Sequence, residues 1–370
     1  MRQCRESVVN MINGRAIFKK INAQGYDAAV FFDQVNQHYI TGFLSTDGIV
    51  LVSEQETALF VDSRYYEAAS LAKANQTMQE DVSPYLLSHR ALDKLNDYIA
   101  KKSITSLAYD KTLVTVSQAE KLEKELPKIR VGGLLDICSP ERQIKSEREI
   151  KSIKAAQAIT DAAFTHILSF IRAGRTETEI AAELEYFCRK NGSAGMAFQT
   201  IVVSGKNSSL PHGVPSDTTI TKNSFITMDF GAKLDGYCSD MTRTVVLGKA
   251  DSEMRHVYNT VLEAQRLALC CVKSGVTGAE VDRAARNYIN SNGYEGKFGH
   301  STGHSLGLEI HEQPRFSSAW SEKILAGTVM TVEPGVYLPG KYGVRIEDMV
   351  LVTDAGCENL TRSDKQLTEL

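Results

Sequence analysis

The sequence predicts an α/β (α+β) protein of two domains, the second built from two copies of one motif. Three observations predict this. At 370 residues the chain exceeds what one ordinary core holds. Residues 1–135 alternate strand-like and helix-like patterns. Within residues 140–370 one stretch recurs: IRAGRTETEIAAELEYFCRKNG (171–192) aligns without a gap with VKSGVTGAEVDRAARNYINSNG (272–293).

The elements follow in order. Residues 7–24 are amphipathic with helical spacing, and AAVFF (28–32), GIVLV (48–52) and ALFVD (58–62) read as strands. Residues 64–75 and 90–102 read as helices. Around LDICSPERQIKSERE (135–149) the apolar strand signal stops and Pro140 opens a long charged helix. The domains are therefore expected at 1–135 and 140–370. In the repeat, Gly174/Gly275, Thr176/Thr277, Glu179/Glu280, Asn191/Asn292 and Gly192/Gly293 are identical. A long helix ends at Gly, Thr caps the next with Glu three residues on, and that helix stops at Asn-Gly. FITMDF and TRTVVLG follow the first copy; TVMTVEPGVYL and VRIEDMVLV follow the second. Two such halves should pack as pseudo-twofold partners, with their sheets meeting at a site fed by both.

Composition narrows the function. With 42% hydrophobic residues, 24% charged residues and a net charge of −3, the chain resembles a globular protein with no basic footprint for nucleic acid. No apolar run reaches the roughly eighteen residues a membrane span needs, and the N-terminus lacks the apolar core of a signal peptide. Cys4, Cys138, Cys188, Cys238, Cys270, Cys271 and Cys357 are scattered and form no C-x-x-C pair. This argues against a zinc-thiolate site and fits a cytoplasmic protein.

The chemistry lies in the strands after each helix pair. In FITMDFGAKLDGYCSDMTRTVVLG (225–248), Asp235-Gly236 signals a two-residue hairpin turn. Leu234 then faces Tyr237 and Asp229 faces Thr242, with Asp240 a diagonal neighbour of Asp229 on the same face. Each acid taken alone reads better as a turn residue, but a half-buried carboxylate in an apolar strand requires a partner or a metal. In TVEPGVYLPGKYGVRIEDMVLV (331–352), Glu333 lies in a strand stopped by Pro334. The return strand carries Arg345 and Glu347 on one face, and Arg345 has Glu347 or Asp348 as a possible ion-pair partner. The stretch GHSTGHSLGLEIHE (299–312) gathers His300, His304 and His311 among glycines that oppose a helix and let backbone approach a ligand. His212 lies in a Pro/Gly loop, NSSLPHGVPS (207–216). Two Asp, two Glu and one His suit Mn²⁺, or Co²⁺ and Zn²⁺ with less preference, and carry too much charge for one ion.

In order and spacing, DFG (229–231), SDMTRT (239–244), GHSTGHSLGLEIHE (299–312), EPGVY (333–337) and VRIED (344–348) resemble the dinuclear-metal pita-bread peptidases. Within them the resemblance is to aminopeptidase P (Xaa-Pro aminopeptidase) and prolidase. HYITGF (38–43) and LFVDSRYYEAA (59–69) resemble the creatinase-like N-terminal domain of those enzymes. The resemblance implies Asp229, Asp240, His304, Glu333 and Glu347 as ligands of two divalent ions, most readily Mn²⁺, with Asp240 and Glu347 bridging. It implies His212, His300 and His311 as pocket residues, Arg345 behind the bridging carboxylates, and Glu333 as carrier of the proton from a bridging hydroxide to the leaving nitrogen. The implied activity is release of the N-terminal residue from peptides with proline in second position, by a homodimer. Xaa-Pro dipeptidase activity is the alternative, and a non-catalytic binding module on the same fold is the reading from another class.

Overall fold

The computed structural model describes residues 14–87 and 91–370, with residues 91 and 92 described by backbone alone. Cys4, residues 7–13 of the first expected helix and residue 90 lie outside the described residues. The chain divides into two compact units, one through Arg142 and one from Gln143.

The first unit has β1 (Ala28–Phe31), β2 (Ile49–Ser53), β3 (Thr57–Val61), β4 (Val82–Leu86), β5 (Ser106–Asp110) and β6 (Arg130–Leu134) in one sheet, ordered β4-β3-β2-β1-β5-β6. Its helices are α1 (Gly14–Ala23), α2 (Gln34–Thr41), α3 (Ser63–Ala74), α4 (Ala91–Lys101), α5 (Val116–Glu125) and the short α6 (Ser139–Gln143). Its core joins Val30, Leu51 and Phe60 of the sheet to Leu95 and Ile99 of α4. The three expected strands are β1, β2 and β3, buried at every position and apolar apart from Ser53 and Thr57 at strand ends. The edge strands β4 and β6 lie outside the sequence expectation for a physical reason. One contains Pro84 and the other Gly132-Gly133, residues that a sheet tolerates at its edges.

The start of the second unit departs from the sequence expectation. The long helix expected from Pro140 is broken, because Ser146 forms a capping box with Glu149 and starts a new helix, α7 (Glu147–Phe170). The repeat folds as paired helices: α7 with α8 (Glu177–Lys190), then α9 (Ser252–Cys271) with α10 (Gly278–Ile289). Both predicted capping boxes form, Thr176 with Glu179 and Thr277 with Glu280. Gly174 and Gly275, at φ 87 and 86, turn the chain before them. α8 stops at Asn191-Gly192, whereas α10 ends at Ile289 and runs into one wide turn over Asn290–Tyr294.

The strands of the first half are β7 (Gly195–Met196), β8 (Ile201–Ser204), β9 (Ser224–Phe230), β10 (Ala232–Leu234), β11 (Tyr237–Cys238) and β12 (Met241–Leu247). Those of the second are β13 (Gly303–Ser305), β14 (Glu312–Phe316), β15 (Val329–Val332), β16 (Gly335–Leu338), β17 (Tyr342–Arg345), β18 (Asp348–Val352) and β19 (Cys357–Asn359). The helix pairs bury Ile180 and Leu184 against Met228 and Val245, and Val261 and Val281 against Met330 and Val350.

Each half carries a long hairpin that breaks midway and changes sheet. β9 pairs with β12 on one side and β8 on the other, while the distal β10 and β11 share a sheet with β7. Likewise β15 and β18 lie in one sheet and β16 and β17 form another. The first hairpin turns at Asp235-Gly236 (φ 50 and 83), with Leu234 facing Tyr237 and Asp229 facing Thr242, the register the sequence predicts. Its break is pinched at Gly231, where a Cβ would lie 1.8 Å from the Ser239 carbonyl oxygen. In the second hairpin Pro334 ends the ladder, since it has no N–H to donate. Glu333 accordingly lies just past β15 and not within it. Gly231→Ala should lower unfolding free energy by about 1–3 kcal/mol, the usual range for overpacking, measured by urea denaturation.

Candidate metal centre and substrate cavity

All nine residues singled out in the sequence line one cavity of about 420 Å³ in the second unit: His212, Asp229, Asp240, His300, His304, His311, Glu333, Arg345 and Glu347. The broken hairpins bring the acids together. Asp229 is the last residue but one of β9, the first outgoing strand, and Asp240 lies in the return break just before β12. Glu333 and Glu347 occupy the matching breaks of the second hairpin. The halves are joined there by the backbone, with Glu347 N donating to Thr242 O at 3.1 Å.

Asp240, His304 and Glu347 each place a ligand atom within 4.8 Å of the others. His304 Nδ1–H donates to Ser305 O at 3.1 Å, which leaves the lone pair of Nε2 facing Asp240 Oδ2 at 3.6 Å and Glu333 Oε1 at 3.5 Å. Lone pairs at that range repel unless a cation or proton lies between them. Asp229 Oδ2 accepts from Arg345 Nη2 at 2.6 Å, while its Oδ1 is buried with no hydrogen-bond partner. An orphaned carboxylate oxygen and an imidazole lone pair turned on carboxylates fit a cation-binding centre, and a mixed oxygen and nitrogen donor set suits divalent ions.

Electrostatics agree with this fit. Burial pushes Asp240 and Glu347 well above the usual carboxylate range, and the neighbouring acids raise both further. Burial carries Glu333 up to about 7, with Arg345 opposing and Asp229 adding. Burial lowers His304 to about 3, helped by His311, so the ring is a neutral donor.

Arg345 departs from the expected pairing with Glu347 or Asp348. Strand β17 ends at Arg345, and its guanidinium turns to Asp229 in the other half. Its Nε donates to Thr242 Oγ1 at 3.0 Å, and that hydroxyl donates to Glu347 Oε2 at 2.7 Å. Asp348 is taken by Arg243 Nη2 at 2.7 Å and Lys365 Nζ at 2.6 Å. Arg243, also buried, donates to the carbonyls of Thr242 and Glu347 and to Ser363 and Asp364 O. It lies inside the quoted SDMTRT stretch, but its role depends on contacts from segments a hundred positions away.

The histidines divide. His300 has both nitrogens engaged: Nδ1–H donates to Ser301 O at 2.8 Å, and Nε2 accepts from the Tyr337 hydroxyl at 2.9 Å. That hydroxyl in turn accepts from Arg345 Nη1 at 2.9 Å. Tyr337, inside the EPGVY stretch, is a site residue that sequence reasoning passed over. His212 and His311 line the same cavity with no protein hydrogen bond to their rings among the described residues. Arg315 is a further residue missed. It is the cross-strand partner of His304 and projects on the exposed face of β14 into the same cavity.

A two-domain chain whose second domain folds two αα-ββ halves around such a cavity defines a metallohydrolase of the pita-bread class. The sequence profile of Metallopeptidase family M24 matches residues 151–354, and that of the Creatinase/Prolidase N-terminal domain matches residues 15–144. The chain belongs to metallopeptidase family M24 and carries a creatinase-type N-terminal domain. It is 36% identical to the Xaa-Pro dipeptidase of Pyrococcus horikoshii over 354 residues, covering 95% of this chain and 97% of that one. Its structure superposes on the Xaa-Pro dipeptidase from Bacillus anthracis with a TM-score of 0.91, at 38% identity over 96% of this chain and 99% of that one. On the X-Pro aminopeptidase from Thermotoga maritima the TM-score is 0.89, at 37% identity over 97% and 100%. Among the described residues no helix is long and apolar enough to cross a membrane.

A buried acid whose pKa is raised binds protons more tightly folded than unfolded, so the stability it contributes falls as pH rises between the two values. For Glu333 that interval runs from 4.5 to about 7. Between pH 5.5 and 8 the metal-free protein should therefore lose more of its Tm than metal-free Glu333→Gln. The gain in Tm on adding Mn²⁺ should be larger at pH 8, where protons no longer compete. Calorimetry at the two pH values, with and without metal, checks both.

Proposed function

We propose that the chain is a manganese-dependent Xaa-Pro dipeptidase, with Asp229, Asp240, His304, Glu333 and Glu347 as the ligands of two ions. The observation that favours a dipeptidase is Arg315. It lines the cavity beside His304 and His311 and forms no ion pair among the described residues, whereas Arg345, the other cavity arginine, is held by Asp229. A dipeptide ends in a free carboxylate one residue past the scissile bond, and an unpaired guanidinium at the cavity wall suits it. The names carried by the Pyrococcus horikoshii and Bacillus anthracis relatives support the same reading. Xaa-Pro aminopeptidase activity, the first expectation from the sequence, is the second reading. The Thermotoga maritima likeness supports it, as does the exposure of Arg315, which leaves room for a longer chain.

When bound, two divalent ions would balance the four carboxylates, activate a water and polarise the scissile carbonyl. The protein groups do the rest. Glu333, which lies at the break beside His304 and keeps one carboxylate oxygen without a protein hydrogen bond among the described residues, suits the transfer of a proton from that water to the proline nitrogen as it leaves. His212 and His311, with ring nitrogens uncommitted to protein, supply hydrogen bonds to substrate oxygens as charge develops there. His300, saturated by Ser301 and Tyr337, offers ring carbons to the cavity. Arg345 fixes Asp229 directly and Glu347 through Thr242. The six described cysteines form no disulfide with one another, which supports a reducing, cytoplasmic setting. The family resemblance supports a homodimer.

Stripped with chelator and restored with Mn²⁺, the protein should release alanine from Ala-Pro and leave Ala-Pro-Ala largely intact, and Asp229→Ala should abolish the activity. Hydrolysis of the tripeptide at an equal rate would make it an aminopeptidase. Arg315→Gln should raise KM for Ala-Pro by about 10- to 100-fold, the worth of a charge-assisted hydrogen bond. Its effect on Ala-Pro amide, which lacks the carboxylate, should be small.

A further inference from the structure

One buried acid of the second unit lies outside the cavity and yet holds part of its wall. Glu177, the first residue of α8, is 0% exposed and has no cationic partner among the described residues. Every hydrogen bond to its carboxylate comes from the segment 204–216. Oε1 accepts from Ser204 N at 2.7 Å, Ser204 Oγ at 2.9 Å and Asn207 Nδ2 at 3.2 Å. Oε2 accepts from Ser216 Oγ at 2.7 Å and Ser216 N at 3.2 Å. Both feet of the loop therefore converge on one carboxylate, at the end of a helix whose dipole favours negative charge.

That loop carries His212. Its middle is tied to the other half of the domain: Gly343 N donates to Ser208 Oγ at 2.9 Å, and Arg345 Nη1 donates to Pro211 O at 3.2 Å. Gly213 N closes back on Leu210 O at 3.1 Å. His212 thus sits between fixed neighbours, and its ring, which no protein group holds, takes its position from the backbone alone.

We propose that Glu177 is the positioning residue for His212, pinning both feet of the 204–216 loop so that the imidazole faces the cavity. The inference rests on the placement of His212 in the substrate cavity. Each carboxylate oxygen meets a backbone N–H and a hydroxyl, a demand for acceptors on both sides. An amide cannot meet it: whichever way the side chain of Glu177→Gln turned, its NH₂ would confront the backbone N–H of Ser204 or of Ser216, and one foot would be released.

The test compares Glu177→Gln, His212→Ala and the double variant in the Mn²⁺-loaded full chain. Three readouts are taken: kcat/KM on Ala-Pro, Mn²⁺ affinity by calorimetry, and hydrogen exchange by mass spectrometry. Glu177→Gln should lower kcat/KM about 10²-fold, the cost of an ångström-scale misplacement, with Mn²⁺ affinity unchanged. Exchange should quicken within 204–216 alone. The double variant should be no slower than His212→Ala, because a mispositioned imidazole and a missing one are the same loss. Multiplying losses, unchanged exchange in the loop, or faster exchange throughout the unit would each overturn the inference. Ser216→Ala, which removes the hydroxyl bond at one foot and keeps the backbone one, should show the same local pattern more weakly and serves if Glu177→Gln does not fold. If no Xaa-Pro peptide is hydrolysed, the proposed function falls, while exchange in the loop still decides the role of Glu177.

Discussion

Four carboxylates share one cavity in which, among the described residues, a single guanidinium contacts them, and the catalytic unit is organised around that repulsion. Two like charges about 4 Å apart at a protein-like effective dielectric near 20 repel by roughly 4 kcal/mol. A fold that held such acids for structural reasons would have neutralised or replaced them. Here the opposite was done: Thr242 and Thr331 donate single hydrogen bonds to Glu347 and Glu333, Arg345 steadies Asp229, and one Asp229 oxygen is left without any partner. Each support fixes an acid's direction while leaving an oxygen uncommitted. The unspent acceptor capacity is what a cation would use, and it is why the family's metal chemistry suits this chain.

The duplicated hairpin explains how the acids arrive there. In a continuous strand, successive side chains alternate faces and remain bound into the ladder register. Where the hairpin changes sheet, the ladder opens, and a side chain at the break can point into the space between sheets. The two halves make the break differently. In one, Gly231 lets the two limbs touch at Ser239; in the other, Pro334 ends the hydrogen bonding. Asp240 and Glu347 nevertheless occupy matching places on the return limbs, immediately before β12 and β18. Duplication therefore preserved the position of the acid relative to the break more faithfully than the residue that makes the break.

Much of this was legible in the sequence because it is local. The capping boxes at Thr176 and Thr277, the Asp235-Gly236 turn and the resulting register of Asp229 against Thr242 depend on residues a few positions apart. What was not legible depends on partners far along the chain. Spacing of two suggested that Arg345 would face Glu347, but the strand ends at Arg345 and its true partner, Asp229, comes from the other half. Arg315 escaped notice because its facing of His304 follows from a pairing that contains a register shift between His304 and Ser305. Arg243 and Tyr337 are visible as letters in recognisable stretches, yet only their buried contacts make them part of the site. The single long helix expected to open at Pro140 failed for a local reason that the sequence did carry, the Ser146–Glu149 box.

The stretch GHSTGHSLGLEIHE resolves into three separate tasks for one residue type. His304, buried and neutral, spends Nδ1 on a backbone carbonyl and turns Nε2 to the acids, as a ligand requires. His300, capped on both nitrogens, can present only its carbons, and so shapes the cavity without competing for protons. His311, past a loop that ends the short β13, keeps both nitrogens for a guest. The glycines separate these roles. Gly303 lies where a Cβ would come within 1.9 Å of the Thr331 carbonyl oxygen, so the chain at His304 can approach β15 closely enough for Thr331 to meet both the His304 amide and Glu333. A side chain at that glycine would push the His304 imidazole away from Glu333, the carboxylate it faces within the same half.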